Sequence, residues 1–570
     1  MNRFLRKWTG FAVIACIIVL VLTPASVFAH AYVVSSNPAA NETLDTSPEM
    51  IVIDFNEPIE AGFHKLEVIG PNGDDVTDGE AAIDPQKPSR LTVSLQSDLP
   101  EGLYTAKWNV VSGDGHAISG TIPFQIGHGD PGGESGLPIH STTDGGSSFP
   151  GWSLLLVRWL FYGGMTAYLG AVVFHAWLLP RMDNAWGSER LKRRSRVLWL
   201  SGLIASSAGI LLSLPQQTAD DAGGGWKEAL DPALWRQTLV YTTFGEIWKV
   251  QLLLLGGLLL WTLYLLRASR SNRPSQLPLL GAMLLGLGLL LSKAFIGHAA
   301  TADLRGPAIT ADFLHLASSL IWLGGVGALA FLLPAATQPS AKKEEAQHSA
   351  PSQLPLSWQT VRRFSILAFI MVAILLLSGV YGSLLHVPTL YSLTHTTYGL
   401  VLLAKIALTL ICLLLGGCSF LRGRQARKPL SAAGVWTELG TGLAVLLLAA
   451  VLANLPTAAA FPGPAALTHQ LDDGTKVTIH ITPNVAGTNT FQVNVLGPDG
   501  QPRNDVDQVT LELTSKEMDM GTIEILFPGG SPPEVSELIT MGGRWNVHVH
   551  ILTSSLDSYD YDTELVIGNP

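Results

Sequence analysis

The sequence predicts a multidomain membrane protein: an all-β sandwich of immunoglobulin-like type, then a bundle of eight transmembrane helices, then a second all-β sandwich. Three observations predict it. Of 570 residues, 47% are hydrophobic and 14% charged, too apolar a balance for an ordinary soluble chain of this length. The apolar residues gather in eight long runs between 151 and 456. On either side of them, short runs alternate apolar and polar residues between Pro, Gly, Asn and Asp turns, the period-two signature of half-buried strands.

Residues 1–29 open with Arg3, Arg6 and Lys7, continue through the apolar run Phe11 to Leu22 and end in Val27-Phe28-Ala29, which are the three regions of a secretory signal peptide. The apolar run is short for a membrane span, so cleavage after Ala29 is expected, leaving His30 as the new amino terminus. Cys16, one of three cysteines, departs with that leader. Cys412 and Cys418 sit six apart in an apolar run, about 240° around a helix, so neither a disulfide framework nor a shared thiol face is expected. Both read as packing residues.

Residues 30–127 carry the strand-like runs MIVIDF, HKLEVIG, RLTVSL, YTAKWNVV and TIPFQIG, enough for a small sandwich. Residues 128–150 are rich in Gly, Ser and Pro and read as a flexible linker. The eight apolar stretches follow, near 153–179, 197–214, 244–266, 277–296, 311–334, 364–386, 397–421 and 434–455, each long enough or nearly so for a hydrocarbon core of about 30 Å. Alternate connections hold Arg181, Arg190, Lys192, Arg193, Arg194 and Arg196; Arg267, Arg270 and Arg273; Lys342, Lys343, Arg362 and Arg363; Arg422, Arg424, Arg427 and Lys428. The others hold Lys227, Arg236 and Arg305. That bias places both ends of the span region outside the cytoplasm. Residues 465–570 again read as strands, in KVTIHIT, FQVNVLG, QVTLELT, TIEILF, SELIT, RWNVHVHIL and TELVIG. The net charge of −10 has its acids in the soluble ends and its bases between the apolar runs, which disfavours nucleic acid as a partner.

A free amino-terminal histidine chelates a metal through its α-amine and ring together, and neutral nitrogen donors suit a tetragonal Cu(II) ion. Within VVSGDGHAISG, Asp114 and His116 stand two apart, so an extended backbone sends both from one face. Gly113 and Gly115 permit close approach.

These residues carry a resemblance. HAYVVSSNPAANETL, FNEP and LPEGLYTAKWNVVSGDGHAISGTIPFQIG resemble the exported copper-binding family CopC over essentially all of 30–127. The resemblance implies a Cu(II) site made by the His30 amine and ring, Asp114 and His116. Glu57, in FNEP, stands where some members supply a weak extra ligand. The family's Cu(I) site uses a methionine-rich loop, whereas this domain has Met50 alone, so Cu(II) is the expected copper cofactor. GHAATADL, DFLHLASSLIWLGGV, RRFSILAFIMVAILLLSGVYGSLL and the run around Lys405 resemble CopD, a membrane family associated with copper uptake, mainly over 297–420.

The predicted topology sets His298, Asp312, His315, His386 and His395 near the extracytoplasmic face, with Asp312 and His315 three apart on one helix. Several imidazoles and a carboxylate there make a candidate transport-entry site. Arg158, His175, Glu246, Lys249, Lys293, Lys405 and Glu438 are further polar residues expected at membrane depth. LELTSKEMDMG and GRWNVHVHIL loosely resemble the small YtkA-like exported domains that accompany copper proteins. His548 and His550 alternate with apolar residues and share one strand face, while Met518 and Met520 repeat the spacing with thioethers, a donor set suited to copper.

The reading that follows is a bacterial, multi-pass copper uptake protein, not an enzyme, whose exported domain binds Cu(II) and delivers it to the membrane domain. Its partners are the copper ion, the lipid bilayer and a copper reductase or chaperone. Sequestration without transport is the alternative, and a copper oxidase built on the amino-terminal histidine a more distant one. No GxxxxGK[ST] motif occurs, so ATP-driven pumping is not indicated.

Overall fold

The structure, a computed structural model, describes residues 31–127, 151–180, 188–269, 274–337, 356–426 and 431–568, except 32, 40–41, 114, 116, 224, 226, 298, 300–303, 504, 517–521, 529–533 and 540–541, with backbone alone at 422–426. The leader and the linker therefore lie outside the described residues. The chain divides into two compact units, one holding the helices apart from residues 386–400, the other holding both β-sandwiches with 386–400.

The first sandwich comprises β1 (Val33–Asn37), β2 (Thr43–Leu44), β3 (Met50–Phe55), β4 (Lys65–Ile69), β5 (Thr77–Asp84), β6 (Lys87–Leu95), β7 (Gly102–Val111) and β8 (Ala117–Ile126). They form two sheets, in the orders β1-β3-β6-β5 and β2-β8-β7-β4. Alternation decides which face turns inward: Ile51, Ile53, Leu91, Val93, Tyr104, Ala106, Ile122 and Phe124 are buried between the sheets. Trp108 pairs with Gly120 across β7 and β8. A Cβ on Gly120 would stand 2.6 Å from the indole, so glycine makes room for the ring, which meets Phe55 edge-on at 5.2 Å. Asp54, a buried acid on β3, is satisfied by Arg90 through two bonds of 2.8 Å and by Lys87 at 3.1 Å. Strand β5, TDGEAAID, lacks apolar alternation, and the sequence did not announce it.

The second sandwich comprises β9 (Ala465–Gln470), β10 (Lys476–Thr482), β11 (Gly487–Leu496), β12 (Val506–Ser515), β13 (Thr522–Pro528), β14 (Val535–Ile539), β15 (Gly543–Thr553) and β16 (Ser558–Ile567). Its sheets run β14-β11-β10-β9 and β13-β12-β15-β16, closed over Ile479, Phe491, Leu511, Trp545 and Val549.

Between these domains in sequence lie α1 (Trp152–Val173, continued by a π turn Phe174–Leu178), α2 (Glu189–Asp221), α3 (Pro232–Tyr241), α4 (Thr243–Ala268), α5 (Gln276–Lys293), α6 (Arg305–Phe331), α7 (Leu333–Thr337), α8 (Leu356–His386), α9 (Leu390–His395), α10 (Thr397–Ala426) and α11 (Ala432–Leu452). Among the described residues eight of them are long and apolar enough to cross a membrane. Helix α2 outruns its apolar stretch at both ends: Ser188 caps it ahead of the basic residues, and it continues past Pro215 to Asp221. The short α3 was unforeseen, yet Asp231 accepts from the Ala233 amide and Pro232 holds the first turn, a start signal visible in the sequence. Helices cross where side chains are small. A Cβ on Gly164 would stand 2.7 Å from the Gly202 carbonyl, and one on Gly324 would stand 2.5 Å from the Thr166 carbonyl. Apolar side chains on the outward faces, Leu253, Leu260, Phe369 and Leu414 among them, are at least two-thirds exposed, which suits hydrocarbon as their solvent.

Candidate metal centre

Strands β7 and β8 form a hairpin whose last pair is Val111 with Ala117, so residues 112–116 connect the two strands. Gly115 donates to the Ser112 carbonyl at 2.8 Å with φ +85°, a conformation glycine adopts without Cβ strain. Ser112 is fully buried and bridges to Ile59. Its hydroxyl donates to Glu57 Oε1 at 2.5 Å and accepts from the Ala31 amide at 3.3 Å. Three separate segments meet at this one hydroxyl: the start of the described chain, the loop after β3 and the turn before β8. His30, Asp114 and His116 lie outside the described residues; their neighbours Ala31, Gly115 and Ala117, and Glu57 itself, are within them. His64, also in this domain, presents its two ring nitrogens to the Ala61 and Ala81 carbonyls at 3.1 and 3.0 Å, which leaves it a structural residue.

In the helical unit Asp312 and His315 both stand on α6. His315 Nδ1 lies 3.1 Å from the Ser378 hydroxyl on α8, beside Gly379, whose missing side chain leaves space for the imidazole. Ser378 was not singled out, although the LLLSGVYGSLL run pairs a hydroxyl with a small neighbour in the way a polar helix contact requires. Asp312 and His315 both sense the charge of Lys405 on α10, and Asp312 also senses Lys293 on α5. Lys293 in turn senses Arg158 on α1, whose guanidinium donates to the Ala453 carbonyl at 3.1 Å. Asp312 keeps accessible surface.

The other predicted positions separate. His298 lies outside the described residues. His386 ends α8 and meets the Tyr398 ring edge-on at 6.4 Å. His395, expected in a loop, closes α9 and stacks on Tyr391 at 4.0 Å, with Nδ1 near the Tyr391 carbonyl. Glu246 and Lys249 are exposed in the first two turns of α4. His175 is buried between Phe174 and Trp199 and bonded to Ser195, which makes it a packing residue. Cys412 is buried and Cys418 exposed; the Cys412 thiol donates to the Glu438 carbonyl at 3.7 Å.

On β15, Trp545, Val547 and Val549 enter the core while His548 and His550 emerge on the opposite face, as the alternation predicts. Each faces a carboxylate of β16: His548 Nδ1 is 3.0 Å from Asp562 and His550 Nδ1 is 2.6 Å from Asp560. Met518 and Met520 lie outside the described residues. Nowhere among the described residues do three or more His, Cys, Asp or Glu converge on one ready-made metal position.

Comparison with known proteins places three family models along the chain: the CopC domain at 33–127, the copper resistance protein D-like N-terminal domain at 147–306, and copper resistance protein D at 358–452. The copper transport protein CutJ of Bacillus subtilis (strain 168) is 36% identical over 552 residues, covering 95% of this chain and 97% of its own. Copper resistance protein D of Pseudomonas syringae pv. tomato is 29% identical over 263 residues, covering 45% of this chain and 76% of its own. Among solved structures, CopC from Methylosinus trichosporium OB3b is 26% identical, with 18% of this chain and 98% of that one covered and a TM-score of 0.17.

Proposed function

The chain belongs to the family of fused CopC–CopD copper transport and resistance proteins, a multi-pass membrane protein with eight candidate spans, and from that premise we propose that it imports copper captured as Cu(II) at its amino terminus. The His30 α-amine and ring, Asp114 and His116 are the ligands in this reading, and both β-sandwiches face the outside. The observation that carries it is the Ser112 hydroxyl, which accepts from the Ala31 amide and donates to Glu57. That bond ties the residue after His30 to the turn holding Asp114 and His116, although the two segments stand 81 residues apart in sequence.

The chemistry follows from the donors. A six-membered chelate from amine and imidazole, a second imidazole and one carboxylate give Cu(II) nitrogen-rich, tetragonal ligation with an anionic donor. Glu57, bonded to Ser112, holds a second carboxylate nearby and reinforces the turn. In the membrane domain, Asp312 is the acceptor for the ion. Two lysines already balance its charge, so an arriving copper cation competes with Lys293 and Lys405 for the carboxylate, and that exchange keeps a bare charge from standing in hydrocarbon. His315, oriented by Ser378, supplies a nitrogen donor on the same helix. A reductase or chaperone would set the oxidation state of the ion that crosses.

One inserted residue tests the capture step. Adding Ala between Ala29 and His30 keeps a free α-amine but takes it off the histidine, and Cu(II) affinity of the mature protein should fall by orders of magnitude; undiminished affinity sinks the chelate. Deleting the gene tests transport: cellular copper should fall under limitation. Unchanged copper content with lowered copper tolerance would favour sequestration instead.

A further inference from the structure

On the outer face of the second sandwich, the antiparallel register sets His548 opposite Asp562 and His550 opposite Asp560, with Glu512 of β12 flanking His548 on its other side. Three of those five groups meet at one oxygen. Asp560 Oδ1 is 2.6 Å from His550 Nδ1 and 3.7 Å from His548 Nε2. The shorter separation is a hydrogen bond. The longer one exceeds hydrogen-bond reach, yet it is a span that two donors on a single ion bridge with bonds of about 2.0–2.2 Å each. His548 has its other nitrogen, Nδ1, held by Asp562 at 3.0 Å, and Asn546 donates to the same carboxylate oxygen at 3.2 Å. A carboxylate on Nδ1 fixes the imidazole tautomer and directs the Nε2 lone pair outward, as in the outer shells of histidine metal sites. Both imidazoles are more than one-third exposed, so an ion reaches them without unfolding the strand.

We propose that His548, His550 and Asp560 form a second binding site on this chain for a divalent cation of the Cu(II) or Zn(II) type, with Asp562 as the residue that positions His548. Binding exchanges the His550–Asp560 hydrogen bond for metal bonds, and water completes the coordination. Imidazole donors select borderline metals, among which Cu(II) binds most strongly, and the surrounding carboxylates add attraction for a cation. The site lies on the other exported domain from the amino-terminal chelate, and its existence does not depend on that one.

Cu(II) itself is the probe. The purified full chain in detergent, titrated with Cu(II), should bind one ion more than the H548Q/H550Q double variant, and the lost ion should carry imidazole-nitrogen couplings in its electron paramagnetic resonance spectrum. Asp562→Asn should keep the stoichiometry and weaken that ion by roughly tenfold or more. Equal stoichiometry in the double variant, with its fold intact by circular dichroism, overturns the proposal and leaves the cluster as two ion pairs. Repeating the titration in a His30→Ala/His116→Ala background separates the two sites: an imidazole-coupled ion that persists there supports this site whatever becomes of the amino-terminal one, and its disappearance assigns that signal to the amino terminus and overturns the proposal.

Discussion

The Ala31 amide donates to the Ser112 hydroxyl at 3.3 Å, and Ser112 in turn donates to Glu57, so the position of Ala31 is tied to a buried residue of a distant hairpin turn. Replacing Ser112 with Ala leaves the Ala31 donor without this acceptor and Glu57 without this donor, at a cost of about 1–3 kcal/mol. If the relay also positions the copper ligands, S112A should weaken Cu(II) binding at least tenfold, and S112T, which keeps the hydroxyl, should restore most of it. Competition titration against a chromophoric chelator reads both. Equal affinity in S112A would confine the relay to folding.

Asp54 answers to pH. The paired Arg90 guanidinium holds its carboxyl below the ordinary range, opposed by burial and aided by Lys87. A depressed carboxylate stabilises the fold fully above the unfolded value of about 3.9 and loses that contribution as pH falls through the folded value. Hydrogen exchange in β3 and β6, corrected for intrinsic rates, should therefore accelerate below about pH 4. Asp54→Asn should show the faster exchange already at neutral pH, by about 1–3 kcal/mol because Arg90 and Lys87 remain partly solvated.

Gly170 and Gly324 mark a close crossing of α1 and α6. A Cβ on Gly170 would collide with the Gly324 backbone, and one on Gly324 would stand 2.5 Å from the Thr166 carbonyl. Neither obstacle is a flexible side chain, so α1 and α6 must separate to accept the methyl. Gly324→Ala should cost at least about 1–3 kcal/mol and lower the melting temperature in detergent, whereas Gly163→Ala, where a Cβ meets nothing within 4 Å, should leave it unchanged.

Much of this architecture was legible because burial imposes a period. MIVIDF became β3 and RWNVHVHIL became β15, with the expected faces inward, and the apolar runs became helices. Strand β5 was not legible, since an edge strand needs only backbone partners and carries acids and glycine where a core strand carries apolar residues. For the site, sequence supplied residue types and faces, as with His548 and His550. It did not supply partners: nothing local tells that Asp560 and Asp562 would lie across from them, because register is set by the hairpin. The same holds for Ser378 against His315, which depends on how two helices rotate.

Asp312 offers the sharpest test of the membrane domain. It stands on α6 with His315, balanced by Lys293 and Lys405. Asp312→Asn keeps the shape and removes the anion that Lys293 and Lys405 both sense. Copper accumulation by cells should fall to the level of the gene deletion, while Cu(II) capture at the amino-terminal chelate of the purified protein stays as it was. Asp312→Glu, which restores the charge on a longer arm, should recover part of the uptake. Full uptake in D312N would show that copper crosses without this carboxylate, and the entry site would have to be sought among the other histidines of the bundle.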